Sequence, residues 1–229
     1  MTDLQDYPPQ VQDEIARTRE EVCELHAELT RWNLVVWTAS NVSQRLYSAD
    51  LMVIKPSGVR YDRLTPDDMV VCDLDGVLVD GDHSPSSDTA AHAYVYRHMP
   101  EIYGVVHTHS TYATAWAARG EEIPCVLTMM GDEFGGPVPV GPFAIIGDDS
   151  IGRGIVETLR DSRSPAVLMQ NHGPFTIGKT AEAAVKAAAM VEEVAHTVYV
   201  ARQLGDPLPI AQDLIDRLHD RYTTVYGQH

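Results

Sequence analysis

His107-Thr108-His109 is the triplet in this 229-residue chain with the clearest capacity for chemistry. It closes an apolar run over 102–107 that reads as a strand. In extended chain, residues two apart face the same way, so both imidazoles can reach one ion while Thr108 turns aside. Two nitrogens do not complete a coordination shell. A third candidate is His172, which follows the apolar run 166–170 in Gln170-Asn171-His172-Gly173-Pro174. A carboxylate candidate is Asp88, at a helix start where backbone N–H groups favour negative charge. Three histidines and one carboxylate suit zinc, with manganese or a similar divalent ion as competitor. Each residue alone has a plainer reading: a strand-edge His-x-His, a loop histidine, an N-cap. His26, His92, His98, His196 and His219 lack such a pattern and read as structural.

Anion chemistry is suggested by three polar turns that carry donors without acid: Ser40-Asn41-Val42-Ser43, Lys55-Pro56-Ser57-Gly58 and Ser86-Ser87. Lys55 offers a point charge, and Gly58 allows close backbone approach. Asn41, Ser57, Ser86 and Ser87 add neutral donors, the last two at a helix N-terminus. Taken singly, these are also ordinary turns and caps.

The elements that must hold these groups follow from periodicity and punctuation. Val11, Ile15, Val22, Leu25 and Leu29 recur at helical steps or their multiples and predict a helix over 10–32. The apolar run 34–37 predicts a strand, followed by a polar turn over 38–43. A second strand covers 51–54 and stops at Lys55-Pro56. Runs 69–73 and 77–79 flank Leu74-Asp75-Gly76 and predict a hairpin. Ser86-Ser87-Asp88 starts a helix that ends before Pro100. Helices are also expected over 111–118, 151–159 and 180–204, with short strands in the Gly- and Pro-rich stretch 123–148 and a polar C-terminal stretch. The short links predict an α/β domain spanning 1–229, with a mostly antiparallel central sheet covered by helices on both faces.

Composition narrows the partners. The net charge of −16 would repel a nucleic-acid duplex or an anionic membrane surface, but one small anion needs only a local pocket. No apolar run approaches the ~18 residues of a membrane span. Cys23, Cys72 and Cys125 are odd in number and far apart, which suggests a reducing, cytoplasmic setting rather than a disulfide framework. The polar, acidic opening Met1-Thr2-Asp3-Leu4 does not read as a signal peptide.

Five segments, in order, resemble the class II aldolase and L-ribulose-5-phosphate 4-epimerase family. They are Ala39-Ser40-Asn41-Val42-Ser43, Ile54-Lys55-Pro56-Ser57-Gly58, Pro85-Ser86-Ser87-Asp88-Thr89, Val105-Val106-His107-Thr108-His109-Ser110 and Asn171-His172-Gly173-Pro174-Phe175. The likeness runs from about residue 10 to 228. It implies a metal-dependent enzyme of that fold, with one divalent ion per subunit held by Asp88, His107, His109 and His172. It also implies a phosphate pocket of Asn41, Lys55, Ser57, Gly58, Ser86 and Ser87. Fuculose-phosphate-type aldolases typically carry Glu after the Ser-Ser pair; Asp88 here follows the epimerase pattern. So do Asp132, in the loop after the His-x-His helix, and the closing Tyr226-Gly227-Gln228. Asp132 and Tyr226 would be acid/base groups.

The epimerase reaction interconverts L-ribulose 5-phosphate and D-xylulose 5-phosphate by breaking and remaking the C3–C4 bond. In the family the site lies between subunits of a fourfold cyclic homotetramer. This chain departs from the epimerases at Ser40, where they carry Gly, and at Met130-Gly131, where they carry His-Ala. The segment from Asp132 to His172 is also shorter. Two other family roles remain open: an aldolase that releases its fragments, and a non-catalytic adducin-like head, which usually lacks the metal histidines.

Overall fold

Residues 4–225 are described by the structure, a computed structural model. The first helix, α1 (Pro9–Arg31), starts on a proline, whose fixed φ suits the first helical position. Its Val11, Ile15, Val22, Leu25 and Leu29 are buried, as their spacing predicts. The strand expected over 34–37 does not form. Asn33 and Trp37 adopt φ of 56° and 61°, which turns the chain. Val36 and Trp37 are left 74% and 68% exposed.

The first strand is instead β1 (Asn41–Arg45), which begins inside the stretch expected to be a turn and runs two residues past it. Its polar side chains are weak strand formers, but tertiary contacts outweigh that preference. The next strands are β2 (Leu51–Ile54), β3 (Val70–Asp73) and β4 (Leu78–Asp80). In the β3–β4 hairpin, Asp73 Oδ1 accepts from the N–H groups of Asp75 and Val77.

The chain continues through α2 (Thr89–His98), β5 (Gly104–His107), α3 (Thr111–Arg119), α4 (Thr128–Phe134), β6 (Val140–Gly141) and α5 (Ser150–Leu159). It closes with β7 (Ala166–Met169), β8 (Gly173–Gly178), α6 (Ala181–Leu204) and α7 (Gln212–Thr224). Three of these elements were not expected. Pro174 hides β8, since proline argues against a central strand. Gly131 hides α4, and α7 reads as a polar tail because it buries only Ile215 among its described residues.

One eight-stranded sheet runs β4-β3-β2-β1-β5-β8-β7-β6. All pairs are antiparallel except β6 with β7. Side chains alternate between its faces, as strand geometry requires. Val105, Val167 and Phe175 pack with α2 and α5 on one side. Val106 and Leu168 face the other side, where α1, α3, α4, α6 and α7 lie. Gly104 opens β5 where the main chain of Thr180 and Ala181 passes so close that a Cβ would overlap it. The mostly antiparallel sheet with helices on both faces is the expected architecture. Among the described residues, no helix is long and apolar enough to cross a membrane.

Candidate metal centre and anion pocket

The central strands deliver three histidines to one end of the sheet. His107 ends β5, and His109 follows two residues later. His172 lies in the three-residue link between β7 and β8, where Asn171 takes φ of 58°, a conformation asparagine tolerates. One ligand atom from each imidazole lies within 4.8 Å of the other two. His107 Nε2 stands 3.0 Å from His109 Nε2. Two nitrogens bound tetrahedrally to one zinc ion would be about 3.3 Å apart.

The surroundings prepare His107 as a ligand. Its Nδ1 donates to the Pro174 carbonyl at 3.0 Å, which leaves the Nε2 lone pair free. Phe175 stacks on the ring at 4.1 Å. Burial, then the neighbouring imidazoles, push its pKa well below the ordinary histidine value, so it stays neutral as coordination requires. His109 and His172 are also lowered by burial, while the Asp88 charge works the other way on both.

Asp88 occupies the N-cap position of α2 without a side-chain capping bond, and it is buried. Its Oδ2 accepts from Asn41 Nδ2 at 2.8 Å, while Oδ1 has no partner among the described residues. An unbonded buried carboxylate oxygen is costly unless a cation or donor arrives. The three imidazoles form a donor set that fits a divalent ion, while Asp88 stands outside their 4.8 Å group and reaches His109 and His172 only through its charge.

Asn41 connects the two halves of the site. Its Nδ2 also reaches Ser86 Oγ at 2.9 Å. Ser86 N–H donates to the Lys55 carbonyl, and Pro56 bridges Pro85, so the two donor loops lie side by side. Lys55 is 1% exposed. Its ammonium donates to the Thr38 and Pro56 carbonyls at 3.3 and 3.1 Å, and no carboxylate pairs with it among the described residues. Burial lowers its pKa from 10.5 to about 8. A buried cation without a counter-ion suits an incoming anion. Ser57, Gly58 and Ser87 lie beside these loops, Ser57, Gly58 and Ser87 all on the solvent side. Gly58 takes φ of 72° with open space around its Cβ position, as close approach of a ligand would need.

Behind the site, β1 and α2 meet through a polar ladder that the sequence did not announce. Asn41 bonds Asp88, Ser43 Oγ lies 2.7 Å from both His92 Nδ1 and Tyr96 OH, and Arg45 reaches the Tyr96 carbonyl. Residues at i, i+2 and i+4 of the strand thus meet i, i+4 and i+8 of the helix. His26, read as structural, is buried, with Nδ1 against the Val22 carbonyl and Nε2 accepting from Val42 N–H. Tyr61, which carried no sequence signal, donates its partly buried hydroxyl to the carbonyls of Ala39 and Ser40.

Two expected site residues are not joined to this cluster. Among the described contacts, the Asp132 carboxylate makes no hydrogen bond or ion pair with the histidines. Its helix, α4, ends at Gly135 against Arg163, just before β7 begins, whereas His172 comes after β7 ends. Tyr226 lies outside the described residues.

Comparison with known proteins follows the same lines. Residues 20–199 match the family described as Class II Aldolase and Adducin N-terminal domain. The structure is similar to that of an L-fuculose 1-phosphate aldolase, with a TM-score of 0.85 and 26% identity over 90% of this chain and 96% of that one. YgbL from Klebsiella pneumoniae, whose description leaves aldolase, epimerase and decarboxylase activity open, gives 0.77 and 28% over 90% and 99%. The L-fuculose-1-phosphate aldolase from Thermus thermophilus gives 0.71 and 25% over 86% and 100%. With the family matched across most of its length and the sheet shared with solved members, this chain belongs to the class II aldolase and adducin N-terminal domain family.

Proposed function

We propose that this chain is a metal-dependent sugar-phosphate enzyme that breaks and remakes a carbon–carbon bond, acting as an L-ribulose-5-phosphate 4-epimerase. The observation that carries the reading is the convergence of His107, His109 and His172, with the charge of Asp88, whose Oδ1 is unbonded, felt at His109 and His172. These four residues would hold a divalent ion, most simply zinc. Such an ion supplies Lewis-acid stabilisation of the negative charge that develops on ketose oxygens as the C3–C4 bond breaks.

The protein's own groups do the rest. Lys55, Asn41 and Ser86, with Ser57, Gly58 and Ser87, bind the phosphate of the aldehyde fragment and keep it from leaving. Anchored there, the fragment can turn its other face towards re-attack, which inverts C4. Asp132 and Tyr226 accept and return the proton of the C4 hydroxyl, one on each face. The placement of α4 favours Asp132 acting on substrate held at the histidine site of a neighbouring copy, which agrees with a cyclic homotetramer built around shared sites.

An aldolase is the second reading, favoured by the likeness to L-fuculose 1-phosphate aldolase. One incubation separates the two. Metal-loaded protein with L-ribulose 5-phosphate should yield D-xylulose 5-phosphate. Accumulation of dihydroxyacetone and glycolaldehyde phosphate instead would establish the aldolase, and no turnover would refute this substrate.

A further inference from the structure

Ser40 precedes β1 with φ of 81°, in the left-handed region that favours glycine. It is only 8% exposed, so solvent does not account for a side chain there. A strained buried residue persists when its surroundings hold it in place. Here the holding contacts are visible. Pairing of β1 with β5 reaches Asn41 opposite His107 and stops. Past that point the carbonyls of Ala39 and Ser40 have turned away, accepting from the Tyr61 hydroxyl at 2.8 and 3.0 Å. The N–H of His109, two residues beyond the ladder, therefore finds neither carbonyl. Ser40 Oγ takes their place and accepts from it at 3.2 Å.

We propose that Ser40 is a positioning residue for His109: its hydroxyl extends the β1–β5 ladder by one side-chain bond and fixes the backbone that aims His109 at the metal. The inference rests on reading the three histidines as ligands. It also gives this chain's serine a use at a position where glycine would relax the backbone. Glycine suits the backbone but leaves His109 N–H without its acceptor. Alanine keeps the strain and loses the acceptor as well.

The test is titration of cobalt(II) into metal-free full-length protein, following affinity and the visible d–d bands, beside thermal melting without metal. Ser40→Gly should melt at or above the parent's temperature yet bind cobalt about tenfold more weakly, the lower end of the effect of losing a partner that orients a ligand. Ser40→Ala should lose on both counts. Ser40→Gly protein that binds cobalt as tightly as the parent, with the same band intensities, would overturn the proposal. His109→Ala is the control for the underlying reading. Cobalt binding unchanged in that variant, or absent from the parent, would remove the metal centre itself and this inference with it.

Discussion

Replacing Lys55 by methionine should make the ligand-free protein more stable at neutral pH while weakening its hold on phosphate. The buried ammonium has two carbonyl partners and no paired carboxylate among the described residues. Its pKa falls from 10.5 to about 8 through burial. At about 1.4 kcal/mol per pH unit, the charged side chain costs the fold about 3 kcal/mol at pH 7. The sign runs opposite to that of a lysine gaining a partner. The cost is full below pH 8, where folded and unfolded chains are both protonated. It fades as pH rises from 8 towards 10.5, where the folded state has already released the proton and the unfolded state has not.

Methionine removes the charge at similar length. Loss of the two carbonyl hydrogen bonds, at about 0.5–1.5 kcal/mol each, offsets about 1–3 kcal/mol and leaves a net gain of about 0–2 kcal/mol at pH 7. Urea denaturation of parent and Lys55→Met at equal protein concentration, in phosphate-free buffer, measures the gap. The difference should shift in the parent's favour by more than about 2 kcal/mol between pH 7 and pH 10. Added inorganic phosphate should stabilise the parent and leave the variant unmoved. A variant less stable than the parent at pH 7, or a gap indifferent to pH, would refute the picture of an unpaired ammonium awaiting an anion.

Other expectations are as direct. His107→Ala and Asp132→Asn proteins should each be inactive alone. If Asp132 serves a neighbour's histidines, mixed assemblies should regain up to about a quarter of parental turnover, the chance that intact halves meet in a random ring; no recovery on co-expression would place both groups in one chain. Tyr61→Phe strips the buried carbonyls of Ala39 and Ser40 of their donor and should cost about 1–3 kcal/mol by chemical denaturation. Gly104→Ala forces a methyl against the main chain of Thr180 and Ala181 and should lower stability by at least about 1–3 kcal/mol, read as a fall in melting temperature.

How far the site could be read in advance depended on range. His107 and His109 were legible because a period of two is local, and His172 because an apolar strand led up to it. Lys55 was legible as a cation among donors, but its burial was not, since that depends on the 38–41 loop and Tyr61 closing over it. The strand misplaced to 34–37 shows the limit of composition. Leu34-Val35-Val36-Trp37 looks like core throughout, yet Val36 and Trp37 face solvent and only Leu34 is fully buried, whereas Asn41-Val42-Ser43, which looks like a turn, opens a strand that lies centrally in the sheet. The partners that make Asn41 and Ser43 acceptable inside, Asp88 and His92, lie more than forty residues further on. No window of sequence contains both members of such a pair. Helix α7 escaped notice for a simpler reason: Ile215 is its one buried anchor among the described residues.

The polar ladder between β1 and α2 also restricts how the protein can change. Oily contacts tolerate sliding, because one methyl group replaces another. Matched donors and acceptors do not, and a one-step slip of α2 would break the Asn41, Ser43 and Arg45 bonds together. The Asp88 carboxylate is therefore locked in register with Ser86, both held by the Asn41 amide. Lengthening Asp88 to glutamate would push its carboxylate past Asn41, so accommodating that single exchange would require the opposite strand to change with it.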